Sequence, residues 1–94
     1  IDLLTALEGA YSRHEVATQQ IQAFEGGLLR QAQDALRVAE AAYRFGERGF
    51  IDVLDAQRVL RAVRLDFLAA RAAQRAAAIE IEQLRAAGLE GMPK

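Results

Sequence analysis

The sequence predicts an all-α protein, a long antiparallel two-helix coiled-coil hairpin. Two apolar series with heptad spacing, and a short glycine-bounded segment between them, carry that prediction. Composition points the same way. Alanine supplies 20 of the 94 residues, and Arg, Leu, Gln and Glu supply much of the remainder, all strong helix formers. The one proline is Pro93, so none interrupts residues 1 to 92. Period-two alternation is not sustained anywhere, and no strand is expected.

The first series runs through Leu3, Leu7, Ala10, His14, Ala17, Ile21, Phe24, Leu28, Gln31, Ala35, Val38 and Ala42. Ten of these twelve are apolar, a seam of more than five heptads. The second runs through Val53, Ala56, Leu60, Val63, Phe67, Ala70, Gln74, Ala77, Ile81 and Leu84, nine of ten apolar. Between them lies Arg44-Phe45-Gly46-Glu47-Arg48-Gly49-Phe50. Gly46 suits the left-handed residue that stops a helix, and Gly49 can open the chain into the next one. Such a short connection makes the arms antiparallel, with lengths of roughly 60 Å and about 55 Å. The expected bounds are residues 2–45 for the first arm, 46–50 for the tip and 51–88 for the second arm, with a flexible tail over 89–94.

Two features disturb this regularity. Gly26-Gly27 falls inside the first seam and costs on the order of 2 kcal/mol relative to two alanines, so a kink or short break is expected there. The tail from Gly88 to Lys94 holds two glycines and the proline and is expected to fray or fold back.

The second arm carries a further apolar stripe. Ala62, Leu65, Ala69, Ala72, Ala76, Ile79, Gln83 and Ala86 repeat with heptad-like steps on a different side from the Val53 to Leu84 seam. A helix in an isolated hairpin needs one apolar stripe, whereas a helix inside a closed layer needs two. Alanine is common on exposed helices, but Leu65 and Ile79 favour a second packing partner. The hairpin therefore reads as part of something larger.

Charge and residue inventory exclude several function classes. A net charge of -1 and a pI near 5.8 argue against nucleic-acid binding. The arginines of the second arm (Arg58, Arg61, Arg64, Arg71, Arg75 and Arg85) alternate with Asp55, Asp66, Glu80 and Glu82, the pattern of a solvated, ion-paired face. Without cysteine there is no disulfide, no thiolate nucleophile and no Cys-type zinc site. His14 lies on the apolar seam with no Glu three residues before it, so it reads as a packed residue rather than a metal ligand. Ser12 is the sole serine, and neither a Gly-x-Gly-x-x-Gly nor a Walker pattern is present. No catalysis, cofactor or metal is expected. Asp52 and Asp55 stand three apart at the start of the second arm and point to nearly one side. They suit either capping and the helix dipole, or a cation or basic partner at the tip.

The segment Tyr43-Arg44-Phe45-Gly46-Glu47-Arg48-Gly49-Phe50-Ile51-Asp52-Val53-Leu54-Asp55-Ala56-Gln57 resembles the tip of the second periplasmic hairpin of TolC-like outer membrane factors. The spacing of Leu60, Phe67, Leu68 and Ala69, then Leu84 and Gly88, fits the returning helix of that family. Leu28-Leu29-Arg30-Gln31-Ala32 resembles the stretch where its first arm resumes. The resemblance spans about residues 28 to 88. It implies an export duct of a tripartite efflux pump or a type I secretion system, located in the outer membrane and periplasm of a Gram-negative cell. Three copies would build a helical α-barrel, with a periplasmic adaptor protein as partner and an inner-membrane pump as an indirect one. The resemblance implies that Tyr43 and Arg48 tie the tip to neighbouring coils, and that Asp52 and Asp55 form an acidic ring at the entrance. It places adaptor docking at Phe45, Gly46 and Glu47, with Glu47 standing where the family carries an apolar or hydroxyl residue. On this reading the chain is a hairpin cut from a longer protein whose membrane barrel lies elsewhere.

Two alternatives come from other classes. The hairpin of a periplasmic adaptor protein would show Arg, then Leu four residues on, then a hydroxyl seven further. Arg61 and Leu65 meet the first part, but Ala72 stands at the hydroxyl position. A generic structural coiled coil is the other alternative.

Overall fold

The computed structural model describes residues 2–90. Helix α1 spans Leu3–Ala23, a wide turn occupies Phe24–Leu28, α2 spans Leu29–Arg44 and α3 spans Phe50–Glu90. α1 and α2 lie end to end as one arm, and α3 runs antiparallel along both. The envelope is 75 × 19 × 15 Å, and no strand occurs among the described residues.

Each helix end has a local cause. Asp2 adopts extended dihedrals, and its Oδ1 accepts from the Leu4 amide at 3.3 Å, satisfying one of the free donors that open α1. At the other end of the arm, Gly46 takes φ +73°, the left-handed conformation. The Glu47 amide then donates to the Ala42 carbonyl at 2.8 Å and the Gly46 amide to Tyr43 at 3.0 Å. This Schellman pair closes the last carbonyls of α2 and turns the chain sharply. The Asp52 amide donates to the Gly49 carbonyl at 3.2 Å, which starts α3 at Phe50, only four residues beyond Gly46. The helix bounds thus place the turn at residues 45–49.

The seam between the arms is built largely of small residues. Ala10, Ala17, Ala32 and Ala39 of the first arm, with Val53, Leu60, Ala70, Ala77 and Ile81 of α3, form the buried core. Alanine lets helix axes approach closely but buries little surface, so the seam is tight and only modestly stabilising. Three cross-ties join α1 and its end to α3. Arg13 pairs with Glu80 at 2.7 Å, the Gln74 Nε2 donates to Thr18 Oγ1 at 2.9 Å, and the Phe24 and Phe67 rings tilt together at 5.7 Å. The Arg71 guanidinium lies 5.7 Å over the same Phe67 ring.

All ten positions of the Val53 to Leu84 seam are shielded, and the first seam holds from Leu7 to Phe24. Beyond Phe24 the expected positions do not, until Ala42 near the tip is again half-buried. Leu28, Gln31, Ala35 and Val38 face solvent, Val38 with 66% of its surface exposed. Leu29, Ala32, Leu36 and Ala39 take their place against α3. The cause is the Phe24–Leu28 turn, in which the Leu29 amide bonds to the Phe24 carbonyl, five residues back instead of four. That π-type turn absorbs one extra residue. One residue corresponds to about 100° of helix rotation, so all of α2 turns by that amount relative to an unbroken helix. The break sits at Gly26-Gly27, where Gly27 leaves helical dihedrals (φ 162°, ψ -26°).

Helix α3 continues through Gly88 and Leu89 to Glu90, so the loosening expected from Gly88 is not seen before that point. The rest of the expected tail, residues 91–94, lies outside the described residues.

Candidate functional site

Two surfaces remain uncovered, one along α3 and one at the tip. Ala62, Leu65, Ala69, Ala72, Ala76, Ile79, Gln83 and Ala86 are all exposed, so the second stripe has no partner within this chain. Leu65 shows 59% of its surface and Ile79 49%. The stripe lies nearly opposite the Val53 to Leu84 seam, which is where a helix held between two neighbours needs its second apolar side. Along its edge runs an open groove of about 440 Å³ bounded by Ser12, Val16 and Gln20 of α1 and by Ala73 and Ala76 of α3. Alanines line its floor, so a partner helix would meet backbone-deep contacts there rather than bulky side chains.

The tip gathers aromatic and apolar residues in the open. Phe45 is 79% exposed, and Phe50, Ile51 and Leu54 are exposed around it. Tyr43 packs tilted against Phe50 with centroids 5.1 Å apart, so within the chain it braces the start of α3 against the end of α2. Arg48 is exposed on the far side of Gly46, and its amide reaches back to the Ala42 carbonyl at 3.3 Å. Glu47 is exposed and is held through its backbone by the Schellman bond. Phe45, Gly46 and Glu47 therefore sit together at the outermost point of the hairpin.

The two tip carboxylates differ. Asp52 lies half-buried in the first turn of α3 and makes no ion pair among the described residues. Asp55 is exposed, and its Oδ1 accepts from the Arg58 guanidinium at 3.1 Å. No side-chain cap bond from either carboxylate closes the helix start; the Gly49 carbonyl does that work. His14 is half-buried on the α1 seam. Among the described residues no group of three His, Asp or Glu side chains is placed to hold a metal ion. No helix there is long and apolar enough to cross a membrane.

Sequence reading missed Ile51 and Leu54 as surface residues. Ile51 stands two heptads before Leu65 and shares the phase of the second stripe, a signal that the heptad count contains, with the Asp55–Arg58 ion pair between it and Ala62. The fold and its open faces define a class, an antiparallel helical hairpin with one seam closed internally and a second left open. No protein-family model, curated protein or solved structure matches this chain.

Proposed function

We propose that the chain is a periplasmic hairpin of a TolC-like outer membrane efflux duct, forming part of the α-barrel wall and its tip. The observation that carries this reading is the second apolar stripe of α3, exposed from Ala62 to Ala86 and nearly opposite a seam that is already closed. A duct wall gives each helix neighbours on two sides, and this helix has apolar surface on two sides. The tip motif from Tyr43 to Gln57 supports the same reading, as do the exposed aromatics at the outermost turn. In this role Phe45, Gly46 and Glu47 meet the adaptor, and Tyr43 and Arg48 hold the tip. Asp52 and Asp55 from three copies ring the entrance. Because Arg58 compensates Asp55, Asp52 supplies the larger share of the free negative charge.

The test uses the parent outer-membrane protein in a planar bilayer. A conducting pore blocked from the periplasmic side by a multivalent cation is expected, since converging carboxylates at a low-dielectric rim attract such ions strongly. Asp52→Asn is expected to relieve most of the block and Asp52→Asn with Asp55→Asn nearly all of it, with helix content and trimer retained. A parent protein that forms no pore would refute the duct reading. Equal block in all three proteins would remove the entrance role from the two aspartates.

A further inference from the structure

Helix α2 carries two apolar stripes one residue apart. The buried one is Leu29, Ala32, Leu36 and Ala39; the outward one is Leu28, Ala35 and Val38, with the polar Gln31 among them. Counted straight through from Phe24, the outward stripe continues the α1 seam. The buried stripe continues it only because the Phe24–Leu28 turn takes up one extra residue.

The ties between the arms are uneven in the same place. On the α1 side, Arg13–Glu80, Thr18–Gln74 and Phe24–Phe67 fix the arm to α3. On the α2 side, among the described residues, no side-chain hydrogen bond or ion pair joins α2 to α3. Arg37 pairs with Asp34 and Arg58 with Asp55, each inside its own helix. Between the wide turn and the Tyr43–Phe50 contact, α2 is held to α3 by apolar packing, with no polar tie among the described residues. It can turn about its axis without breaking a polar tie. The glycine pair at the turn adds no obstacle. A Cβ at Gly26 would meet nothing within 4 Å, and one at Gly27 only the Gln31 amide nitrogen at 3.9 Å.

We propose that the Phe24–Leu28 turn is a register pivot. Closing it to an ordinary α-helical turn rotates α2 by one residue. Leu28, Gln31, Ala35 and Val38 then pack on α3 in place of Leu29, Ala32, Leu36 and Ala39. The arm up to Phe24 and α3 stay fixed, while α2 turns about its own axis by about 100° and advances by about 1.5 Å. Tyr43 is carried away from Phe50, so the tip aromatics rearrange with the switch. The observed register is the resting one because it shields two leucines and no amide, whereas the alternative must desolvate Gln31. This device belongs to the hairpin itself and stands whether or not the duct assignment holds.

Thiol labelling tests it, since the chain has no cysteine of its own. Val38→Cys and Ala39→Cys report the register, and Ala17→Cys is a control in the fixed half. At rest, position 38 should label at least about 10-fold faster than position 39. Gly26→Ala with Gly27→Ala favours helical dihedrals without changing the length. In that background position 38 should slow and position 39 quicken, so their ratio falls at least about 10-fold while position 17 is unchanged. Deleting Gly27 instead restores the heptad phase with the present stripe inside. Position 39 should then label at least about fivefold more slowly than in the parent. An unchanged 38-to-39 ratio in the alanine background would overturn the proposal, as would an equal rise at both positions, which is the mark of fraying. If the alanine variant loses its helical signal, the deletion decides alone, and an unchanged rate at position 39 overturns the proposal.

Discussion

Leu60→Ala and Leu65→Ala make the same chemical change on opposite sides of one helix. Leu60 is 5% exposed within the seam and Leu65 is 59% exposed on the open stripe. Among the buried core residues only Val53, Leu60 and Ile81 are larger than alanine. Truncating a core leucine costs about 2–5 kcal/mol, and a seam open along both edges can relax, which places Leu60→Ala near 2–3 kcal/mol. A chain of 94 residues has a total stability of about 5–14 kcal/mol. An alanine-rich seam between two helices sits at the low end of that range, so this one truncation removes close to half. With a urea slope of about 1.5 kcal/mol per molar, the midpoint should fall by about 1.3–2 M. Leu65→Ala, measured at low protein concentration, should stay within about 0.5 kcal/mol of the parent. Urea titrations followed by far-UV circular dichroism read both values. Equal shifts for the two variants, or a larger one for Leu65, would refute the assignment of the seam.

Three further outcomes follow from local geometry. Gly46→Ala should destabilise the hairpin by about 1 kcal/mol in the same titration, because its φ of +73° is left-handed and alanine pays a steric cost there. Gly88→Ala should raise stability by about 0.5 kcal/mol, since helix propensity improves while the new methyl meets only the Leu3 Cδ2 at 3.0 Å, the end of a side chain free to swing. A double-mutant cycle on Arg13 and Glu80 should give a coupling of about 0.5 kcal/mol that fades in roughly 1 M salt, because both side chains are exposed.

Much of the hairpin was legible because a helix without interruption keeps its phase. The ten α3 positions from Val53 to Leu84 are shielded as their spacing requires, and Gly46 takes the left-handed role that its place after a helix demands. The phase of α2 was not legible. Leu28-Leu29 is a doubled apolar residue directly after Gly26-Gly27, so a heptad count can pass through either leucine. Which one packs depends on whether the turn before it closes over four residues or five, and backbone hydrogen bonding decides that. Ile51 and Leu54 were hidden for a different reason. They lie inside a motif already read for its aspartates, and their exposure depends on which side of α3 the seam occupies. The uneven distribution of polar cross-ties, two before the wide turn and, among the described residues, none after it, has no counterpart in the periodicity.

The duct reading rests on the second stripe being a face between chains, and thermal melting as a function of protein concentration tests that most directly. A face that recruits another copy makes the melting temperature rise with concentration, because association stabilises the folded form by mass action. For the 94-residue chain, a clear rise over a hundredfold range is predicted, with association in sedimentation. Leu65→Glu with Ile79→Glu should abolish both while leaving helix content intact. A melting temperature independent of concentration, together with a monomer in sedimentation across that range, would contradict it.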